Sequence, residues 1–135
     1  MPAKRILVVD DDGSILRLVA TILRRERYAV DTANGGKEAL AKIGLTQYDV
    51  VVLDLMMPEV SGLDVLRKLD DRDPRIKCVV LLSAALPLDI ASQISPSVFA
   101  ALRKPFDNVA LIAVVRGCIE ATGKTATPTP VPRAA

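Results

Sequence analysis

The sequence predicts an α/β fold, with a doubly wound parallel sheet of five strands and five helices. The first supporting observation is that short apolar, β-branched runs alternate with longer amphipathic stretches five times along the chain. Such alternation is typical of a parallel sheet that is covered by helices on both faces. The second observation is that 50% of the 135 residues are hydrophobic, enough to bury one core of ordinary domain size.

The strands are predicted from short runs rich in β-branched and other apolar residues. They are expected at residues 5–10, 28–33, 48–55, 76–84 and 99–106, the last running into Lys-Pro. The first and third runs are almost continuously apolar, which suits strands that are covered on both faces. Right-handed crossovers between parallel strands then leave few topologies to consider.

Five helices are predicted from apolar residues at helical spacing and from the polar or glycine residues that flank them. They are expected at residues 14–26, 35–44, 61–71, 88–95 and 107–123. Asp12 or Ser14 is expected to cap the first helix. The apolar face of that helix is expected to consist of Ile15, Leu18, Val19 and Ile22.

The chain is expected to divide into one domain, residues 1–123, and a tail, residues 124–135. The tail is rich in Pro, Thr and Ala, cannot bury a core and is expected to be flexible. The tail contains no helix-turn-helix pattern, no basic patch and no catalytic motif. DNA binding by this chain alone is therefore not expected.

Composition excludes several classes of function. A net charge of +2 is too small to indicate binding to nucleic acid or to an anionic membrane. The absence of histidine and of CxxC spacing excludes a zinc site and any Ser-His or Cys-His catalytic pair. No stretch approaches a membrane span, and we expect a cytoplasmic protein. Cys78 and Cys118 lie in apolar segments and are expected to be buried free thiols of a reducing compartment.

Polar residues follow the predicted strands at the points where four of them end. These residues are Asp10, Asp11, Asp54, Ser83 and Lys104. In a doubly wound sheet, ligands bind beyond the carboxyl ends of the strands, where the strand order reverses. If the strand order is 2-1-3-4-5, the first and third strands are neighbours, and three carboxylates meet a hydroxyl and an ammonium group in one pocket.

Three neighbouring carboxylates repel one another unless a proton or a cation compensates for their charge. Oxygen ligands without His or Cys suit a hard cation, Mg²⁺ or Ca²⁺, and a small open cluster beside a lysine suits Mg²⁺. In a site of this kind Asp54 is the natural nucleophile for phosphoryl transfer, while Lys104 and Ser83 hold phosphoryl oxygens. Alone, each residue is typical of a helix cap, a turn or a solvated surface. Their coincidence at strand ends favours the functional interpretation.

The motifs "ILVVDDDGSILR", "DVVVLDLMMPEVSGLDVLR", "VVLLSA" and "LRKPF" resemble the receiver domain of two-component response regulators. The resemblance covers residues 5 to about 122 and implies the flavodoxin-like strand order 2-1-3-4-5. It also implies that Asp54 accepts a phosphoryl group from a histidine kinase or a histidine phosphotransfer protein. Asp11, Asp54 and the backbone carbonyl of Met56 would then ligate Mg²⁺, with Asp10 acting largely through water.

The resemblance further implies that Ser83 is the conformational-switch residue and that Lys104 binds the phosphate. The Lys104–Pro105 bond is typically cis in the family. The chain departs from the family at Ala101, where the usual aromatic switch residue is absent. Phe99 lies two residues earlier and is expected on the same strand face as Ala101.

Two positions that influence attack by water on the phosphorylated aspartate carry apolar side chains in this chain. They lie two residues beyond the acceptor and two beyond the switch serine, at Met56 and Ala85. Because neither side chain can position a water by hydrogen bonding, slow self-dephosphorylation is expected.

The last predicted helix is apolar almost all round, although a surface helix normally keeps a polar face. An exposed apolar stripe usually marks an interface, and we expect one here for a homodimer or for an unidentified downstream protein. The alternative is that small side chains are simply tolerated at its surface. The stripe is expected at Val109, Ile112, Ala113 and Arg116.

The favoured function is a single-domain response regulator that signals through altered protein contacts and is not itself an enzyme. A first alternative is a phosphorelay shuttle or phosphate sink without its own output surface. A second is a Mg²⁺-dependent phosphatase with an aspartyl-phosphate intermediate, which ranks lower because Met56 stands where such enzymes carry a second Asp. A nucleotide-binding fold is poorly supported, since the sequence has neither GxGxxG nor a P-loop.

Overall fold

The computed structural model describes residues 3–57, 60, 62–72, 78–83 and 98–123. Five strands form one parallel sheet in the order β2-β1-β3-β4-β5, which confirms the predicted topology. The strands are β1 Arg5–Val9, β2 Ala29–Ala33, β3 Val50–Asp54, β4 Val79–Ser83 and β5 Val98–Arg103. The helices of the described part are α1 Gly13–Arg25, α2 Gly36–Leu45, α3 Gly62–Arg72 and α4 Asn108–Gly123. The predicted helix at 88–95 and the predicted tail at 124–135 lie outside the described residues.

The sheet is covered on both faces, as the continuous apolar strands predicted. Strand β3 is buried along its whole length because its side chains enter both layers of the core. One core cluster joins the sheet to α2 and α3, and the other joins it to α1 and α4. Because the helices pack on the two faces of the sheet, the carboxyl ends of the strands remain accessible and can form a site.

Helix α1 buries Val19 and Ile22 as predicted, and its buried stripe differs from the predicted one at Leu18. Asp12 is the N-cap, and its side chain accepts hydrogen bonds from the backbone N–H groups of Ser14 and Ile15. The prediction for Leu18 was wrong, since this side chain is 53% exposed. The rotation of α1 on the sheet instead buries Leu16, Val19, Ala20, Ile22 and Leu23.

Strand β5 contains an irregularity that the alternation rule does not anticipate. Val79 pairs with Val98, but the next residue of β4, Val80, pairs with Ala100, so β5 has one extra residue at Phe99. The ring of Phe99 lies over Gly117 of α4, 3.6 Å from where a Cβ at Gly117 would stand. Ala101 packs against the cluster of α2 and α3 instead. The expectation that Phe99 shares the face of Ala101 was therefore wrong.

The two cysteines are buried, as predicted, but they are not free thiols. Cys78, directly before β4, forms a disulfide with Cys118 of α4, with a Cα–Cα distance of 5.8 Å. This distance lies in the ordinary range for a disulfide and results from α4 packing across β4. The 40-residue separation in sequence gives no local signal of the pairing. The free-thiol prediction was wrong for this reason.

None of the described helices combines the length and apolar character that crossing a bilayer requires.

Candidate functional site

The carboxyl ends of β1 and β3 bring three carboxylates together, as the strand order predicted. Asp10 follows β1 directly, and Asp54 is the last residue of β3. One carboxylate oxygen from each of Asp10, Asp11 and Asp54 lies within 4.8 Å of the other two. Asp10 and Asp54 are buried, at 0% and 3% exposure, whereas Asp11 is exposed and faces solvent. The cluster is thus a pocket that is open on one side.

Lys104 enters the same pocket from the end of β5. Its backbone N–H donates to the Ser83 carbonyl at 2.8 Å, which ties the end of β5 to the end of β4. Its ammonium nitrogen lies 3.0 Å from Asp10 Oδ2 and 3.5 Å from Asp54 Oδ1. The Lys104–Pro105 peptide bond is cis. The predicted lysine therefore sits between the two buried carboxylates.

The electrostatics of the pocket show a surplus of negative charge. Burial, followed by the neighbouring charge of Asp10, raises the pKa of Asp54 to about 6. A hydrogen bond from the Met56 backbone and the charge of Lys104 act in the opposite direction without cancelling this. Burial works to lower the pKa of Lys104, but the hydrogen bond and charge of Asp10 outweigh it, with a further contribution from Asp54, so the net pKa is raised. One ammonium group is not enough for three carboxylates.

Backbone groups fix the orientation of the two buried carboxylates. The N–H of Asp12 donates to Asp10 Oδ1 at 2.9 Å, and the N–H of Met56 donates to Asp54 Oδ1 at 3.2 Å. The Met56 side chain is 63% exposed beside the pocket. Lys104 contacts the other oxygen of Asp10, Oδ2, whereas at Asp54 it contacts the same Oδ1 as the Met56 N–H group.

Gly62 is a supporting residue that the sequence analysis missed. A Cβ at this position would stand 2.5 Å from the Asp54 carbonyl oxygen and 2.6 Å from the Leu55 Cα, distances that real Cβ atoms do not show. Its N–H also donates to the Leu55 carbonyl at 3.2 Å. The absence of a side chain lets the start of α3 close against the end of β3. A glycine at the start of the helix that follows the site-carrying strand was the available signal.

The donor set fits Mg²⁺. Carboxylate oxygens are the hard ligands that this ion prefers, and an exposed Asp11 leaves room for the waters that Mg²⁺ retains. The ion would be held by Asp10, Asp11 and Asp54, and it would supply the positive charge that Lys104 alone does not provide.

Of the two predicted switch residues, Ser83 lies at the carboxyl ends of the strands, and Ala101 packs against the layer formed by α2 and α3. Ser83 is 1% exposed at the end of β4, where Leu82 pairs with Asp54 and Ser83 pairs with Arg103. Ala101 is partly buried against the cluster of α2 and α3 and carries no aromatic ring. Ala85, the second predicted lifetime position, lies outside the described residues.

The four residues of the predicted interface have different surroundings on α4. Val109 is 75% exposed, and Ala113 is also exposed. Ile112 is half-buried against the cluster that α4 shares with α1. Arg116 donates to Glu26 Oε1 at 3.1 Å and so connects α4 to the end of α1. The freely accessible apolar surface is therefore centred on Val109 and Ala113.

Comparison with known proteins gives a consistent result. The family model of the response regulator receiver domain matches residues 6–116 of this chain. The transcriptional regulatory protein TrcR of Mycobacterium tuberculosis is 33% identical over 85% of this chain and 45% of its own length. The transcriptional regulatory protein CutR of Streptomyces coelicolor is 40% identical over 83% of this chain and 52% of its own length. The chain thus spans about half the length of these curated relatives.

Solved structures agree with the sequence relatives. A CheY-like response regulator receiver domain protein from Methanospirillum hungatei superposes with a TM-score of 0.84 at 28% identity, covering 91% of this chain and 98% of that one. The response regulator protein TrrA from Thermotoga maritima, in complex with Mg²⁺ and BeF, gives a TM-score of 0.75 at 35% identity, covering 85% of this chain and 98% of that one.

Proposed function

This chain belongs to the family of response regulator receiver domains, and we propose that Asp54 accepts a phosphoryl group from a histidine kinase or a histidine phosphotransfer protein. The observation that carries the proposal is the position of Asp54. Its carboxylate is buried, lies 3.5 Å from the Lys104 ammonium group, and shares a pocket with two further carboxylates. The reaction is Mg²⁺-dependent, because the pocket needs a cation before another anionic group can enter.

The proposed reaction transfers a phosphoryl group from a histidine nitrogen to a carboxylate oxygen. An Asp54 carboxylate oxygen attacks the phosphorus atom, the P–O bond forms, and the bond to the donor histidine nitrogen breaks. The nitrogen leaves with the electron pair, and a proton on the other ring nitrogen of the donor makes the departing imidazole neutral. Mg²⁺, when bound, neutralises charge on the phosphoryl oxygens. Lys104 pairs with one of these oxygens, and the Ser83 hydroxyl accompanies the conformational change that follows.

The output is a change of protein contacts, and we assign it to the exposed apolar part of α4 with its centre at Val109 and Ala113. The occupant of this surface is a second copy of the chain or a downstream protein. Because Ala101 supplies no aromatic ring, Ser83 acts through backbone shifts around β4 and β5. We place the process in the cytoplasm, where histidine kinases present their phosphohistidine.

The acceptor is tested by intact-mass spectrometry after incubation with a small-molecule phosphodonor and Mg²⁺. The wild-type chain is expected to gain the mass of one phosphoryl group, and the Asp54→Asn variant is expected to gain none. The matched control is Asp64→Asn, on the exposed surface of α3, which keeps full reactivity. Equal phosphorylation of Asp54→Asn would overturn the assignment of the acceptor, and so would a folded wild-type protein that never reacts.

The output surface is tested by light scattering with Mg²⁺, before and after addition of beryllium fluoride. A shift from monomer to dimer that is lost in Val109→Asp but kept in Leu45→Asp supports the α4 surface. Leu45 is the matched control because it is an apolar residue of α2 with 87% exposure. An unchanged mass in the wild type would contradict the homodimer and favour a shuttle or a different protein partner.

A further inference from the structure

A cleft separate from the acidic pocket lies between α1 and β2. Its volume is about 370 Å³, and its polar lining comes from three residues of α1 and from the end of β2. These lining residues are Arg17, Thr21, Arg24, Thr32 and Asn34. The floor is formed by small and apolar residues of α1, Gly13, Leu16 and Ala20. The cleft has the size of the smaller pockets that hold compact ligands in proteins.

Two guanidinium groups dominate the charge of the cleft. Arg17 and Arg24 are seven residues apart and lie on the same side of α1, two helical turns from each other. Arg24 is held in place because its Nη2 donates to the Val30 carbonyl at 2.8 Å. Arg17 extends back along the helix, with Nη1 at 3.4 Å from where a Cβ at Gly13 would stand. Among the residues that the structure describes, no carboxylate forms an ion pair with either arginine.

The carboxylates near the lining residues in sequence already have partners. Asp31 accepts from the Tyr48 hydroxyl and pairs with Arg5, and Glu26 accepts from Arg116. Asp12 caps α1 through the N–H groups of Ser14 and Ile15. Glu38 accepts from the Asn34 backbone N–H and pairs with Lys42 at 3.3 Å. The ammonium group of Lys42 also donates to the Thr32 carbonyl, so the neutral Lys42–Glu38 pair lies beside the cleft.

The N-terminus of α2 follows the lining residue Asn34 and adds a partial positive charge, which Glu38 in the first turn of the helix partly offsets. Helix α2 begins at Gly36, directly after Asn34 and Gly35, and its N-cap Gly35 provides no side-chain acceptor for the first N–H groups. The N-terminus of a helix carries a partial positive charge. This partial charge has the same sign as the two arginines.

We infer that this cleft binds the phosphoryl or pyrophosphoryl group of a small phosphorylated metabolite. Arginine forks match phosphate oxygens geometrically, and an arginine already held by a backbone carbonyl loses little side-chain entropy on binding. The hydroxyls of Thr21 and Thr32 and the amide of Asn34 supply neutral hydrogen bonds around the two charges. The cleft uses none of the residues assigned to phosphoryl transfer, so phosphate binding in the cleft can be tested independently of the role of Asp54.

The test is isothermal titration calorimetry of the wild-type chain with inorganic pyrophosphate and, in a separate arm, with ATP. Both titrations contain EDTA, which prevents a metal ion from drawing the probe into the acidic pocket. We expect saturable binding that Arg17→Gln weakens by at least about tenfold, as expected for loss of a charge-assisted hydrogen bond. Tighter binding of ATP than of pyrophosphate would assign a nucleoside to the remainder of the cleft, and equal binding would assign the phosphates alone.

The matched control is Arg25→Gln, which removes the same charge from an exposed position of the same helix outside the cleft. It is expected to leave the affinity unchanged. Equal weakening by Arg17→Gln and Arg25→Gln would overturn the inference, because it would show general attraction of anions to a basic helix. Absence of binding to the folded wild-type chain in both arms would overturn it as well.

Discussion

The carboxyl ends and the amino ends of the strands, here called the carboxyl edge and the amino edge of the sheet, differ in how their charged groups are paired. At the carboxyl edge, three carboxylates meet one ammonium group, and the pKa of Asp54 is raised to about 6 as a result. Towards the amino edge, the Tyr48 hydroxyl donates to Asp31 Oδ2 at 2.7 Å, and Arg5 pairs with the same carboxylate at 3.5 Å. The Arg5 backbone N–H also donates to Asp49 at 2.8 Å. Polar groups are satisfied at one edge and left with surplus charge at the other.

The amino edge is also closed covalently, because Cys78 lies directly before β4 and is bonded to Cys118 of α4. The comparison indicates that the amino edge serves the stability of the domain, whereas the carboxyl edge keeps a surplus of charge at the proposed site for a cation and a phosphoryl group. Four measurements test this division.

The largest expected effect is that of the disulfide at the amino edge. Reducing a bond that closes a loop of 40 residues removes about 4 kcal/mol from the free energy of unfolding in the chain-entropy description. The measurement is urea denaturation with and without dithiothreitol. Cys118→Ser should start near the reduced value and show no response to the reductant. A wild-type protein with two thiols that react with a maleimide after unfolding without reductant would refute the pairing.

The next effect is that of Lys104 at the carboxyl edge. Lys104→Met leaves two buried carboxylates without their ammonium partner, which should cost about 3 kcal/mol in EDTA. Saturating Mg²⁺ should reduce this loss, because a bound cation replaces part of the missing charge. Lys42→Met is the control at a half-exposed lysine, where a loss below about 1 kcal/mol is expected. Equal losses for the two variants in EDTA would contradict the surplus of charge.

Asp54 provides a test with the opposite sign. Because its pKa in the folded protein is raised to about 6, the unfolded chain loses its proton first as the pH rises from about 4, and stability falls. Asp54→Asn should therefore stabilise the metal-free protein at pH 7.5 by about 2 kcal/mol. The gain should vanish below about pH 3, where both states are protonated. Asp49→Asn, at an exposed carboxylate, should show neither effect, and a pH-independent gain at Asp54 would contradict the titration.

The sequence predicted the group of charged residues at the carboxyl edge because the alternation of strands and helices is a local signal in the chain. Alternating strands and helices specify a parallel sheet, and the carboxyl ends of parallel strands meet at one edge, so Asp10, Asp54 and Lys104 were expected together. The family resemblance added the strand order and the cis bond before Pro105. Both features are present in the structure.

The features that the sequence did not predict depend on how elements pack on one another. One extra residue in β5 moves Phe99 to the opposite side from Ala101, and no propensity marks where such a bulge falls. The exposure of Leu18 follows from the rotation of α1 on the sheet, which helical spacing alone does not determine. The bond between Cys78 and Cys118 follows from α4 crossing β4, a contact between residues 40 positions apart.

The smallest expected effect returns to the amino edge and tests whether its polar groups are balanced. Tyr48→Phe removes the hydrogen bond to Asp31 and should cost about 1 kcal/mol at pH 8. Burial, then the hydrogen bond and charge of Asp31, raises the pKa of Tyr48 to about 12, so wild-type stability should fall as the pH rises above 10. Phenylalanine does not titrate, and the difference between wild type and variant should shrink over the same range in urea denaturation. Tyr28→Phe is the control, because the Tyr28 hydroxyl forms no hydrogen bond within the described residues, and it should change stability little. A Tyr48→Phe cost that stays constant from pH 8 to above pH 10 would contradict the raised pKa of Tyr48. The absence of any cost at pH 8 would mean that Tyr48 contributes through packing and not through its hydroxyl.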